Sequence, residues 1–149
     1  MPDLQQIACN YFLLLSSLEY ALKNSGFVKV DSSYNAEPDW NKFKDEVHDK
    51  MNIDISDPDI QEIIKSRPAR QIFKNDNLTW ATPDRINPQK TKEFIDACLT
   101  IRNNLFHGGK HKDGNAGRNE VLIKAATKIL NAAIEACPLV KNKFDEATL

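Results

Sequence analysis

Residues 88–109 read PQKTKEFIDACLTIRNNLFHGG, and this stretch contains the clearest helix in the sequence. Its apolar residues recur at steps of three and four, the spacing of one face of an α-helix. They are Phe94, Ala97, Cys98, Ile101 and Leu105. Gly108 and Gly109 follow, and glycine readily takes the left-handed conformation that closes a helix. The spacing therefore predicts a helix from about Pro88 to Phe106.

Four further segments have helical character. They are Leu4–Asn24, a segment that starts at Glu37–Trp40, Pro58–Ser66 and Arg118–Ala136. In the first of them Phe12 and Leu13 widen the apolar face, which is typical of a helix with more than one neighbour. In the second, Pro38 is expected early in the first turn. The tail, residues 141–149, is expected to fray.

The connections between these helices carry no convincing strand pattern. Residues 27–36 are expected to be irregular, with a short extended piece at Phe27–Val30, and residues 67–86 contain only fragments. Trp40 and Trp80 are interpreted as core residues in preference to base-stacking platforms. The predicted fold class is all-α: a four- to five-helix up-and-down bundle with an irregular middle, in a single domain over residues 1–149.

Composition limits the function classes. With 41% hydrophobic and 28% charged residues the chain is expected to be globular, not disordered. The three cysteines, Cys9, Cys98 and Cys137, lack C-x-x-C spacing, so we expect reduced core residues and neither a disulfide framework nor a metal site. No basic leader or membrane-length apolar run is visible. The prediction is a cytoplasmic protein that binds no membrane and no cofactor.

Charge is distributed unevenly, although the net charge is only −1. Residues 102–118 carry Arg102, Lys110, Lys112 and Arg118 against Asp113 alone, whereas residues 31–62 carry ten carboxylates against three lysines. A basic loop can bind backbone phosphates without reading a base sequence. Lys110, Lys112 and Arg118 are therefore candidate substrate-binding residues; the alternative is a solvated loop.

Three polar residues near the end of the 88–106 helix are the candidates for chemistry. Asn103 and His107 are four residues apart and share a helix face, and the long side chain of Arg102 can reach the same space. A guanidinium, an amide and an imidazole together suit a phosphate-handling site. Two alternatives remain: His107 only caps the helix C-terminus, or Arg102 only pairs with an acid such as Glu19 or Asp96.

The run Arg-Asn-Asn-Leu-Phe-His at 102–107 resembles the Arg-x4-His motif of the HEPN superfamily. Gly-Gly-Lys at 108–110 and the first-helix run Leu18–Lys23 add to the likeness, and they resemble members found in prokaryotic defence and toxin–antitoxin loci. It covers the first and the last two predicted helices and hardly touches residues 27–86. One subgroup, paired with nucleotidyltransferase antitoxins, carries a Tyr two residues after the His, where this chain has Gly109.

The resemblance implies a helical bundle of HEPN type that acts as a metal-independent endoribonuclease. Two subunits would form one composite cleft, in which His107 moves protons, Arg102 holds the scissile phosphate and Asn103 orients them. Glu19, in the first helix, would lie near the cleft and is a further candidate substrate-binding residue; the alternative is a solvated surface acid. The implied partners are RNA, a second copy of the chain, and an antitoxin or defence-system protein. The alternative functions are a HEPN-like scaffold that binds RNA or a nucleotide without cutting, and a domain that only inhibits a partner protein.

Overall fold

The computed structural model describes residues 3–83, 86–106 and 116–147, and only the backbone of residues 116–118. These ranges contain six helices and four short strands. In chain order they are α1 Leu4–Lys23, β1 Val28–Val30, β2 Ala36–Pro38, α2 Trp40–Val47, α3 Pro58–Ser66, β3 Arg70–Lys74, β4 Asn77–Ala81, α4 Thr91–Phe106, α5 Ala116–Glu135 and α6 Pro138–Ala147. The molecule is thus mostly helical, as predicted, but it is not purely all-α.

One cluster of buried side chains holds the helices together, and α5 lies at its centre. α5 packs against α1, α3, α4 and α6. α1 contributes a stripe at helical spacing, since Tyr11, Leu15, Leu18, Ala21 and Leu22 are all buried. Removing such side chains from water is the main stabilising contribution to a fold of this size.

Carboxylates fix the starts of three helices. The side chains of Asp3, Asp39 and Asp57 accept hydrogen bonds from backbone N–H groups in the first turns of α1, α2 and α3. Such caps satisfy donors that have no partner within the helix. The prediction that Pro38 lies in the first turn of α2 is wrong: Pro38 ends β2 and pairs with Val28.

Two antiparallel hairpins replace the irregular middle that the sequence predicts. β1 pairs with β2, which confirms the extended piece near Phe27–Val30, and β3 pairs with β4 from Arg70↔Ala81 to Lys74↔Asn77. The β3–β4 turn is tight because both of its residues, Asn75 and Asp76, take positive φ angles of 53° and 61°. This backbone conformation matches the twist of a two-residue hairpin.

The tail is also more ordered than predicted. Residues 138–147 form α6, which packs along α1 and buries Val140 completely. Pro138 does lie beyond the end of the preceding helix, as predicted, but its fixed φ equally suits the first turn of a new one. Among the described ranges, no helix is both long and apolar enough to cross a bilayer.

The cysteine prediction holds for two of three residues. Cys98 and Cys137 are buried, whereas Cys9 is exposed on α1, and all three are free thiols. Cys9 escapes the core because it lies on the outer side of α1, away from the stripe that faces the other helices.

Candidate functional site

The candidate site lies where the C-terminal half of α4 meets α1. Besides the ion pair described below, two side-chain contacts join these helices: the Tyr11 hydroxyl donates to the Cys98 carbonyl over 2.7 Å, and Phe12 meets Phe106 edge-to-face with ring centroids 6.5 Å apart. The Tyr11 ring is buried, and this burial raises the pKa of its hydroxyl well above the ordinary value. The Tyr11 hydroxyl is therefore neutral, and its hydrogen bond links α1 to α4 beneath the site.

Arg102 is held in a defined position by two neighbours. Its Nη1 lies 2.7 Å from Oε1 of Glu19, and its Nε donates to Oδ1 of Asn103 over 3.2 Å. The Arg102 and Glu19 side chains are 28% and 33% exposed, so the ion pair lies at the surface but not fully in solvent. A half-buried guanidinium bound on two sides is a preorganised cation.

The structure thus brings together three of the residues that the sequence singled out: Arg102, Asn103 and Glu19. It also distinguishes between the two acids proposed as partners of Arg102, because Asp96 pairs with Lys44 instead. A guanidinium has five N–H donors. The two bonds described here use two of them, so within the described residues three remain for a ligand.

The other candidate residues lie outside what the structure describes. His107, Lys110 and Lys112 fall in the range 107–115, and so does most of the predicted polar loop. Arg118 is in the first turn of α5, where only the backbone is described. Their proposed roles remain predictions, as does the alternative that His107 caps α4.

Asn104 is a residue that the sequence interpretation missed. It is 4% exposed, and its Nδ2 donates to the carbonyl of Ala69 over 2.8 Å, immediately before β3 begins. A signal was present: Asn104 follows Ala97 by seven residues and Ile101 by three, so it lies on the buried stripe of α4. A buried amide requires a partner. Asn104 thereby ties the β3–β4 hairpin to the helix turn that carries Arg102.

The β3–β4 hairpin contradicts the prediction that Trp80 belongs to the core. Phe73 and Leu78 are each 69% exposed and Trp80 is 44% exposed. Trp40, by contrast, is partly buried and meets Phe43, in line with its predicted packing role.

Other features of the described ranges are less suited to chemistry. No group of three or more His, Cys, Asp or Glu side chains close enough to hold a metal ion occurs in residues 3–83, 86–106 and 116–147. A groove of 620 Å³ lies between α1, α3 and α5, but its lysines already have acid partners, since Lys124 pairs with Glu120 and Lys128 with Asp57 and Asp59. No family model, curated protein or solved structure matches this chain.

Proposed function

We propose that this chain is a homodimeric, metal-independent endoribonuclease of the HEPN type, with Arg102 and His107 of both subunits in one composite cleft. The observation that carries the proposal is the placement of Arg102. Its guanidinium is fixed at the α1–α4 junction by Glu19 and Asn103, and His107 follows five residues later in the sequence.

The proposed reaction uses the RNA itself as nucleophile. The ribose 2′-oxygen attacks phosphorus, and the bond from phosphorus to the 5′-oxygen breaks. One His107 imidazole takes the proton of the 2′-hydroxyl, and the imidazole of the other subunit protonates the leaving oxygen. Arg102 stabilises the negative charge that develops on the phosphoryl oxygens. The products are a 2′,3′-cyclic phosphate and a 5′-hydroxyl, so DNA is not a substrate.

Glu19 and Asn103 act in this proposal as positioning residues. A free arginine side chain loses considerable rotamer entropy when it binds a phosphate. Because the two contacts already restrict Arg102 in the folded protein, the side chain loses less rotamer entropy when it binds a phosphate. Asn103 is exposed, so its amide nitrogen can also reach an RNA oxygen while its oxygen accepts from Arg102.

Exposed apolar side chains near this junction support the proposal that a second subunit packs here. Leu13 and Tyr20 are 54% and 42% exposed and share the outer side of α1, and Phe106 at the end of α4 is 75% exposed. Apolar groups beside a polar centre fit an interface in which water is excluded from the reacting phosphate. We therefore expect a solution mass of twice 16.9 kDa.

The decisive experiment compares RNA cleavage by the wild type with that by His107→Ala and Arg102→Ala. Both variants should lose cleavage of a structured RNA, and EDTA should leave wild-type cleavage unchanged. His48→Ala is the matched control, since His48 is an exposed histidine at the end of α2. Equal cleavage by wild type and His107→Ala, or none by either, would contradict the proposal.

A second candidate function is RNA or nucleotide binding without cleavage. The Glu19 carboxylate, 2.7 Å from Arg102, favours this reading, because it competes with an incoming phosphate for the same cation. Under this alternative Glu19→Gln should bind RNA more tightly than the wild type, and neither protein should degrade it.

A further inference from the structure

The β3–β4 hairpin carries an exposed face whose residues the proposed active site does not use. Side chains alternate between the two faces of a strand. The register therefore places Gln71, Phe73, Leu78 and Trp80 on one face, here called the outer face, with Phe73 directly opposite Leu78 and Gln71 opposite Trp80. Both aromatic rings and Leu78 are exposed to solvent.

The opposite, inner face of the hairpin turns towards the body of the protein. Ile72 on this face is half-buried, and Arg70 and Ala81 line a cleft of 370 Å³ that reaches Ala97 and Thr100 of α4. Since the inner face already has a neighbour, the outer face is the one available to a ligand.

Basic residues border this apolar outer face. Residues 65–83 contain Lys65, Arg67, Arg70 and Lys74 against Asp76 alone, a local charge of +3 in a chain of net charge −1. Arg70 and Lys74 stand at the root and the tip of β3, both exposed, and neither forms an ion pair with a carboxylate in the part of the chain that is described. β3 has no strand partner besides β4 in its two-stranded sheet, and long basic side chains can reach around the edge of such a strand.

We propose that the outer face of the β3–β4 hairpin binds single-stranded RNA, with bases stacked on Phe73 and Trp80 and phosphates along the β3 edge at Arg70 and Lys74. Aromatic platforms beside cations are the usual means of binding single strands. Phe73 and Trp80 are diagonal neighbours, about 7–8 Å apart at this register. That separation lets each ring accept a different base. The choice of RNA as the nucleic acid rests on the proposed function.

A second copy of the chain fits this face less well. Two hairpins that met about a twofold axis would bring two local charges of +3 together, and like charges across an interface are unfavourable. An RNA strand, in contrast, brings phosphates that neutralise this charge.

The hairpin and the Arg102 site lie on different sides of α4. The Asn104 amide holds the Ala69 carbonyl at the entry to β3, whereas Arg102, two residues earlier, turns to Glu19 of α1. Residues two apart on a helix do not share a face, so the hairpin is a binding surface separate from the proposed active site.

The test measures binding of a fluorescent oligouridine of about 12 nucleotides, a length in the range of single-strand sites. All proteins carry His107→Ala, so that bound RNA stays intact whether or not the chain is a nuclease. Phe73→Leu and Trp80→Leu keep an apolar side chain but remove the ring. Each should weaken binding about tenfold, and Trp80→Phe should recover most of the affinity. Tyr34→Ala, which removes an 88% exposed ring from the β1–β2 turn, should have no effect.

Two further measurements separate this proposal from the alternatives. Lys74→Gln should lower the slope of log K against log salt by about 0.7, the contribution of one phosphate contact to a single strand. In a Trp40→Phe protein, Trp80 is the remaining tryptophan, and its fluorescence should be quenched as RNA saturates the site.

Unchanged affinity in both leucine variants, or no binding at low salt, would overturn the hairpin proposal. So would an oligomeric mass that depends on Phe73 and Trp80, because the face would then be a protein interface. Ring-dependent RNA binding together with a complete absence of cleavage by the wild type would support the hairpin and refute only the nuclease.

Discussion

The ion pair between Glu19 and Arg102 allows a quantitative test of how the candidate site is built. The perturbation is a double-mutant cycle with Glu19→Gln, Arg102→Gln and the combination of both. If the two side chains interact as the structure describes, the cost of the double substitution is smaller than the sum of the two single costs.

The coupling energy follows from burial and geometry. A fully exposed pair contributes about 0.2–1 kcal/mol, and breaking a buried pair costs about 3–5 kcal/mol because one charge is left behind. Here one 2.7 Å contact joins side chains that are 28% and 33% exposed, and the geometry is not bidentate. We expect a coupling of about 1 kcal/mol, at the upper end of the range for exposed pairs. In a chain of this size that corresponds to a midpoint shift of about 2–4 °C.

The assay is urea unfolding of the four proteins followed by circular dichroism, at low and at high salt. The Glu46–Lys50 pair at the end of α2 serves as a matched control, since both its side chains are about half exposed. Its coupling should be smaller and should vanish first as salt rises. A Glu19–Arg102 coupling indistinguishable from zero would refute the preorganised guanidinium on which the site depends.

Three other predictions concern the interior and the caps. Tyr11→Phe removes the buried hydrogen bond to the Cys98 carbonyl and should lower the free energy of unfolding by about 1 kcal/mol, as measured by urea unfolding; no change would mean that the bond is not formed. Burial raises the pKa of the Cys98 thiol, so a thiol reagent should label Cys9 in the native protein and Cys98 only after unfolding, as peptide mass spectrometry can detect; equal labelling rates would contradict the burial. The hydrogen bond from Lys128 lowers the pKa of the Asp57 carboxyl, so its stabilising effect is complete above the ordinary pKa of 3.8 and disappears as pH falls through the lower folded pKa. In the Asp57→Asn variant the free energy of unfolding should therefore depend less on pH in this range. The same acid dependence in variant and wild type would contradict the Asp57–Lys128 interaction.

The helices were predictable because their apolar residues recur at one spacing and the same residues are buried. Phe94, Cys98 and Ile101 of α4 illustrate this agreement: all three were expected on one face, and all three are in the core. The cap at Asp57 was equally predictable, because a carboxylate before Pro58 satisfies backbone donors by local chemistry alone.

The hairpins were harder to predict, because their burial does not follow their apolarity. β1 and β2 have only three residues each, all of them exposed except the half-buried Pro38. In β3–β4 the aromatic side chains and Leu78 are exposed, so the expectation that aromatic residues are buried is wrong there. The turn at Asn75-Asp76 was the available local signal, since these residue types tolerate positive φ.

The candidate site was predictable as a set of residues but not as an arrangement. Arg102 and Asn103 are adjacent in sequence, so their proximity follows from the helix itself. Glu19 is 83 residues from Arg102, and only the packing of α1 beside α4 decided between it and Asp96. The hydrogen bond from Asn104 to Ala69 was unpredictable for the same reason. The position of Asn104 on a buried stripe indicates that its amide needs a partner, but the sequence does not identify that partner.

The packing of α6 on α1 has a consequence for biosynthesis. α1 leaves the ribosome well before its partner Pro138–Ala147, which follows more than a hundred residues later. At ordinary translation speeds that interval is roughly 6–23 s. During this time the side of α1 that packs on α6 stays bare, so nascent chains should depend on chaperone shielding until α6 emerges.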